Sequence, residues 1–292
     1  MQKEGKKVNF NIKSNWLLRI AKALGWNRSS YVILGIFLLM VIMILYVWWP
    51  LAEMVVSYVD WDGNWWLYFD WLLVGIFLFM TLTIMARADL RRDIWILMIG
   101  AAGGLVIEAW GTQTFLWTYF TEQRPPLWII PAWPIASLTI DRMVRLINHL
   151  LPGNKRNWKS IYKIAYLLFF LTFTVLMLQF IWPFIGSSMT IMACLLVGVI
   201  ILTPVDHRSE LLFFLAGSAL GYFLEYWGTT RECWTYYTRQ TPPLFAVLAH
   251  GMAAVVFWRS WRVLELLLNR IFPSYLKDRL WTLSDDQSMD GA

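Results

Sequence analysis

Long apolar segments alternate with short polar ones along almost the whole chain. A run of about 20 apolar residues forms a helix long enough to cross the hydrocarbon core of a bilayer. The pattern therefore predicts an all-α integral membrane protein with eight transmembrane helices. We place them at 31–50, 67–86, 94–110, 126–147, 161–183, 188–204, 210–227 and 243–268.

Basic residues are concentrated at every second connection, whereas the remaining connections are acidic or nearly neutral. The basic set is Arg87, Arg91, Arg92, Arg142, Arg145, Lys155, Arg156, Lys159, His207, Arg208, Arg259, Arg262 and Arg270. Cytoplasmic loops carry the excess of Lys and Arg. We therefore expect a multi-pass protein of the bacterial inner membrane with both termini cytoplasmic, and with the acidic and aromatic connections facing outward.

The composition agrees with a membrane protein, since 59% of the residues are hydrophobic and 15% are charged, against about 25% charged in soluble domains. The net charge of +6 follows from the cytoplasmic connections and does not indicate a nucleic-acid partner. Residues 1–30 are basic, and Trp16, Leu17, Ile20, Ala21 and Leu24 fall at helical spacing. This predicts an amphipathic helix on the membrane surface, with a solvated tail as the alternative. Residues 271–292 form a polar C-terminal tail, and we expect its last ten residues, LSDDQSMDGA, to be disordered.

The chain repeats itself after 117 residues, which divides it into a first unit, 31–150, and a second, 151–270. Between Gly104 and Leu127, 13 residues match identical residues between Gly221 and Leu244. So many identities in register indicate an internal duplication. Four helices in each unit make both units enter the membrane from the same side. The sequence thus predicts two parallel four-helix repeats related by a pseudo-twofold axis along the membrane normal.

Arginines repeat at the cytoplasmic ends of the helices, where Arg142 and Arg145 match Arg259 and Arg262. We interpret all four as residues that snorkel to the interface and satisfy helix C-termini.

The strongest matches form two aromatic loops, GTQTFLWTYFTEQRPPL at 111–127 and GTTRECWTYYTRQTPPL at 228–244. The glycine ends one helix and Pro-Pro begins the next, so we expect a short interfacial or re-entrant segment. Its aromatic residues, and those beside it, are candidates for binding a hydrophobic ligand: Trp110, Trp117, Tyr119, Trp133, Trp227, Trp234, Tyr236 and Tyr237. The alternative is that they anchor and pack the helices.

Glu108 and Glu225 lie about one turn before the outer ends of their helices. An ionisable residue at such a depth is usually functional or paired, and a partly desolvated carboxyl group can act as a proton donor. The alternative is that each glutamate accepts hydrogen bonds from the loop that follows it.

The two halves differ where Trp133 matches His250. By helix rise, His250 lies roughly 10 Å along its helix from Pro243, so it can converge with Glu225 beside Tyr236 and Tyr237. Carboxylate and imidazole together form an acid–base pair, whereas a lone buried histidine often only bonds a carbonyl. The sequence indicates no metal site and no cofactor, because His and Glu do not occur in the spacings of metal ligands and no phosphate-binding glycine loop is present.

Glu108, the segment from Trp117 to Tyr119, Pro125-Pro126-Leu127, Pro131 and Trp133 together resemble the integral-membrane carotenoid-biosynthesis hydratases. The resemblance covers about 30 residues in each half. It implies acid-catalysed addition of water to a polyene or isoprenoid chain, with Glu108 and Glu225 as the acids.

Three functions follow as hypotheses from this sequence. The first is the binding or modification of an isoprenoid-like or carotenoid-like lipid at the outer side of the membrane, with Glu225, His250 and Glu108 as the catalytic residues. The second is a non-catalytic accessory or scaffold subunit that docks a membrane-protein partner through tryptophans. The third is a transporter of small molecules or lipids.

Overall fold

The computed structural model describes residues 21–151 and 156–271. The α-helices with bounds in these ranges are α1 (Arg28–Val47), α2 (Trp49–Ser57), α3 (Trp71–Met85), α4 (Leu90–Gln113), α5 (Ala132–Leu150), α6 (Arg156–Ile181), α7 (Ser188–Leu202), α8 (His207–Thr230) and α9 (Leu244–Ile271). Two 3₁₀ turns, Trp65–Tyr68 and Trp182–Phe184, precede α3 and α7, and the strands are β1 (Trp117–Tyr119) and β2 (Trp234–Tyr236). Most of the basic N-terminal segment and the tail from residue 272 lie outside the described residues.

Five helical segments within the described residues are long and apolar enough to cross a membrane: α1, α4, Trp158–Phe184, α8 and α9. The helices α3 and α7 are apolar but have 15 residues each, or about 22 Å by helix rise. The helix α5 is not in this set, and it carries Asp141, Arg142 and Arg145 in its second half. The chain thus has the character of an all-α membrane protein, with five of the eight expected segments qualifying by length and composition.

The helix expected to begin at residue 126 begins at Ala132 instead. Proline has no N–H to donate to the carbonyl four residues earlier and is tolerated only in the first turn of a helix. Pro131 and Pro134 therefore prevent α5 from extending back towards Pro126. The matching positions in α9 are Leu248 and Gly251, and that helix begins at Leu244, directly after Pro243.

The centre of the protein consists of α4, α5, α8 and α9. Consecutive helices pack as the pairs α4–α5 and α8–α9, while α5 also contacts α8 and α9 contacts α4. Close approach of α8 and α9 needs glycine, since a Cβ at Gly217 would collide with the backbone oxygen of His250 and one at Gly251 with that of Phe214. The helix α3 packs beside α5, α1 packs against α3, and α6 packs beside α8 and α9.

Several elements have the same bounds after a shift of 117 residues. This holds for α3 and α7, for α4 and α8, and for β1 and β2. The cis peptide bonds Arg124–Pro125 and Thr241–Pro242 also match under this shift.

The two aromatic loops pair with each other as a two-stranded antiparallel ladder, in which Thr118 lies opposite Thr235. The expectation of a purely helical chain with separate interfacial loops did not include this ladder. Trp, Thr and Tyr are residues that favour strands, and two Trp-Thr-Tyr segments that meet side by side satisfy each other's backbone groups. The ladder holds both loops over the ends of the four central helices, at what we call the loop end of the protein.

Candidate functional site

Glu108 is a buried carboxylate that accepts three hydrogen bonds from aromatic side chains of its own half. It is 3% exposed. Its Oε2 accepts from Trp117 Nε1 at 3.0 Å, and its Oε1 accepts from the Tyr119 hydroxyl at 2.9 Å and from Trp133 Nε1 at 3.1 Å. Glu108 thus has the partners that a buried charge requires.

Glu225 lies in a matching cluster with one chemical difference. It is 4% exposed, and it accepts from Trp234 Nε1 and from the Tyr236 hydroxyl, both at 2.9 Å. The third partner is His250, whose Nε2 lies 2.9 Å from Oε1. The expected convergence of Glu225 with His250 is therefore present, and His250 bonds a carboxylate rather than a backbone carbonyl.

The helices position these clusters through glycines one turn to either side of each glutamate. A Cβ at Gly111 would overlap the indole of Trp117, and one at Gly228 would overlap the indole of Trp234. These glycines let each tryptophan fold back over its own helix and reach the carboxylate. The Glu-x-Trp-Gly sequence therefore encodes the geometry of the cluster. The glycines do not end the helices as expected, because α4 continues to Gln113 and α8 to Thr230.

The two strands bring the clusters together across the molecule. Trp117 of one half lies 5.8 Å from Tyr236 of the other, and Tyr119 lies 5.8 Å from Trp234, measured between ring centroids. Burial raises the pKa of Tyr119 and of Tyr236 well above that of free tyrosine, and the neighbouring carboxylates raise both further. Both phenols therefore stay protonated and donate to the glutamates.

An apolar groove opens between the halves below His250. Its interior volume is about 40 Å³, and the groove is partly open to the surroundings. Its walls come from α4, α5, α8 and α9 and are mostly aliphatic and aromatic. The lining residues include Trp133, Ile140, Phe213, Phe257 and Trp261, with Asp141 as the acidic one. The apolar lining is of the kind that contacts hydrocarbon groups.

The remaining candidate aromatic residues have structural contacts away from the groove. Trp110 Nε1 donates to Thr190, and Trp227 Nε1 donates to Asp70 at 2.7 Å. The hydroxyl of Tyr237 donates to the backbone oxygen of Phe180, so Tyr237 does not join Tyr236 beside Glu225. Of the eight aromatic candidates, Trp133 alone lines the groove.

Two buried arginines at the opposite end of the helices form ion pairs that were not predicted from the sequence. Arg142 binds Asp93 and Asp141, and its side chain is 4% exposed. Arg259 binds Glu210 through both carboxylate oxygens at 2.8 Å, and Glu210 is fully buried. The interpretation of Arg142 and Arg259 as snorkelling residues is therefore wrong.

Neither cysteine offers a reactive thiol at this site. Cys194 and Cys233 are both free, and Cys233 is 3% exposed. Burial raises the pKa of Cys233 to about 12, so its thiol is protonated at neutral pH. Across 21–151 and 156–271, no group of three or more His, Cys, Asp or Glu side chains is arranged to hold a metal ion.

No protein-family model, curated protein or solved structure matches this chain. The chemistry of the site itself therefore carries the functional conclusion. It combines a buried carboxylate, an imidazole that can exchange protons with it, and an apolar groove that the same imidazole lines.

Proposed function

We propose that the chain consists of two parallel four-helix units in the inner membrane of a bacterium, with both termini cytoplasmic and the loop end facing outward. The coincidence of element bounds after a shift of 117 residues supports the duplication. The arginines that follow α3, and those in the second halves of α5 and α9, lie towards the end opposite the aromatic ladder. This supports the orientation through the positive-inside rule.

We further propose that the protein binds and modifies a lipid with a long isoprenoid-like chain in the groove between its halves. One observation carries this proposal: His250 both bonds the buried Glu225 and lines the apolar groove. An acid–base pair is thereby in contact with the space that a hydrocarbon chain would occupy.

The reaction that suits these groups is the addition of water to a carbon–carbon double bond. The Glu225–His250 pair would deliver one proton to a carbon of the chain, which leaves a carbocation at its neighbour. The faces of the Trp133 and Phe257 rings would stabilise that cation. The oxygen of a water molecule then forms the carbon–oxygen bond and returns one proton to the pair, so that no oxidant or reductant is needed.

The experiment compares lipids extracted from membranes that contain either the wild-type protein or one of three variants. Membranes with the wild-type protein should accumulate an isoprenoid species that is heavier than its unmodified precursor by the mass of one water molecule. Glu225→Gln and His250→Phe should abolish that species, whereas Arg262→Met, at a residue that does not line the groove, should retain it. Identical lipid profiles in wild-type and Glu225→Gln membranes at equal protein levels would reject the catalytic proposal.

A second candidate function is that of a scaffold subunit, and a different observation favours it. The connection before α3 and the first residue of that helix present large tryptophans on the surface. Trp61 and Trp71 are 63% and 61% exposed, and Trp65 and Trp66 are nearly half exposed. Aromatic residues of this kind are enriched at protein interfaces. Loss of a stoichiometric membrane partner on mild-detergent purification of Trp65→Ala/Trp66→Ala, with unchanged lipids, would favour this function.

A further inference from the structure

The rings of Trp133 and His250 form a stacked pair at the boundary between the two halves. Their centroids are 5.5 Å apart and their planes differ by 17°. Each ring is the third partner of the glutamate in its own half. A continuous line of contacts therefore runs from Glu108 through Trp133 and His250 to Glu225.

Both rings are also restrained by the helix beside them. A Cβ at Gly104 would overlap the indole of Trp133, and one at Gly221 would overlap the imidazole of His250. The indole is further held by its bond to Glu108 Oε1 at 3.1 Å. The Trp133 ring thus has a fixed plane, and the imidazole stacked on it is held nearly parallel.

The two glutamates differ in what they can exchange with their partners. An indole N–H donates but cannot accept a proton, whereas an imidazole nitrogen can do either. The partners Trp117 and Trp133 therefore confine Glu108 to accepting hydrogen bonds from them. Glu225 has in His250 a partner that can take a proton and give it back.

We infer that Trp133, anchored by Glu108, is a positioning residue that fixes the imidazole plane of His250 so that Nε2 meets Glu225. Glu108 accordingly acts through Trp133. This differs from the resemblance to hydratases, which implied that Glu108 is a second acid. The inference builds on the proposed function, in which the protonation state of His250 governs the reaction.

The test is nitrogen NMR of the full-length protein in detergent micelles with isotope-labelled histidine. The chain contains three histidines, and His250→Phe assigns the relevant signals. The hydrogen bond to Glu225 should hold the neutral imidazole of the wild type in one tautomer. In Trp133→Leu, which removes the stacked ring, a second tautomer should appear and the ring-nitrogen shifts should move towards their average.

Trp133→Phe keeps an aromatic face but removes the N–H that reaches Glu108, and it should show a smaller population of the second tautomer. If Trp133→Leu does not fold, Trp133→Phe decides: a second tautomer supports the inference and an unchanged spectrum overturns it. Trp48→Leu is the matched control, because it removes one ring of another stacked pair, Trp48 on Trp227, and should leave the His250 signals unchanged. Equal changes in Trp48→Leu and Trp133→Leu would also overturn the inference.

This readout does not depend on any lipid. A positive NMR result with unchanged lipid profiles would leave the positioning of His250 standing while rejecting the catalytic proposal. Conversely, lipid turnover that requires Glu225, with His250 signals unchanged in the Trp133 variants, would support the catalytic proposal and reject the positioning of His250 by Trp133.

Discussion

Arg259 and Arg262 lie one turn apart on α9, yet the structure predicts very different consequences of losing them. Arg259 is 10% exposed and forms a two-oxygen ion pair with Glu210, which is fully buried. Arg262 is 37% exposed and pairs with Glu265, three residues further along the same helix. Removing Arg259 leaves a buried carboxylate without its guanidinium, whereas removing Arg262 breaks a partly solvated pair.

We expect Arg259→Met to lower the free energy of unfolding by about 3–5 kcal/mol, the usual cost of breaking a buried ion pair from one side. Arg262→Met should cost less than about 1 kcal/mol, as exposed pairs do. The double variant Glu210→Leu/Arg259→Met removes both charges and should recover most of the loss, because replacing an entire buried pair by apolar groups is often neutral.

The assay is reversible unfolding in mixed micelles of a mild detergent and SDS, followed by tryptophan fluorescence. The coupling between Glu210 and Arg259 follows from the cycle formed by the wild type, the two single variants and the double variant. A cost for Arg259→Met no larger than that for Arg262→Met would refute the reasoning. So would a double variant as unstable as the worse single one.

Three further predictions concern the loop end. Burial acts to raise the pKa of Asp70, but hydrogen bonds, among them one from Arg231, and the charge of Arg231 outweigh it, so the pKa is lowered. The pair therefore stabilises the protein at neutral pH, and the wild type should lose its advantage over Asp70→Asn in unfolding experiments below about pH 4. Gly228→Ala should destabilise the protein, because the new Cβ meets an indole that donates to the buried carboxylate; Gly198→Ala, with open space around it, should be neutral or gain up to about 1 kcal/mol in the same unfolding assay. Cys233 should resist a membrane-impermeant maleimide at neutral pH in intact membranes and react after denaturation, as measured by mass shift; rapid labelling of the folded protein would contradict its burial.

The contact between Glu225 and His250 could be predicted because it depends on local regularities. The 117-residue shift revealed that Trp133 and His250 occupy equivalent positions, and helix rise placed His250 at the depth of the glutamate. Both arguments need only the spacing of residues within one half. The late start of α5 is also encoded locally, in Pro131 and Pro134, whereas Pro125-Pro126 alone predicts an earlier start.

The ion pairs, the ladder and the groove could not be predicted because they depend on contacts between segments far apart in the chain. Asp93 and Glu210 occupy equivalent positions, but they differ in residue type and were not among the identities. Their burial comes from neighbouring helices, which no local pattern specifies. The groove likewise exists only where side chains of four helices leave space between them, and residue periodicity does not describe that space.

Each glutamate finds all three of its aromatic or imidazole hydrogen-bond partners in its own half of the chain. During synthesis, Glu108 can therefore form all three of these hydrogen bonds before the second half has left the ribosome. The ladder and the stacked rings form only when both halves are complete. They therefore join two halves whose buried glutamates already have their hydrogen-bond partners. A polypeptide divided between residues 151 and 156 and produced as two fragments would bring two finished polar clusters to their assembly in the bilayer.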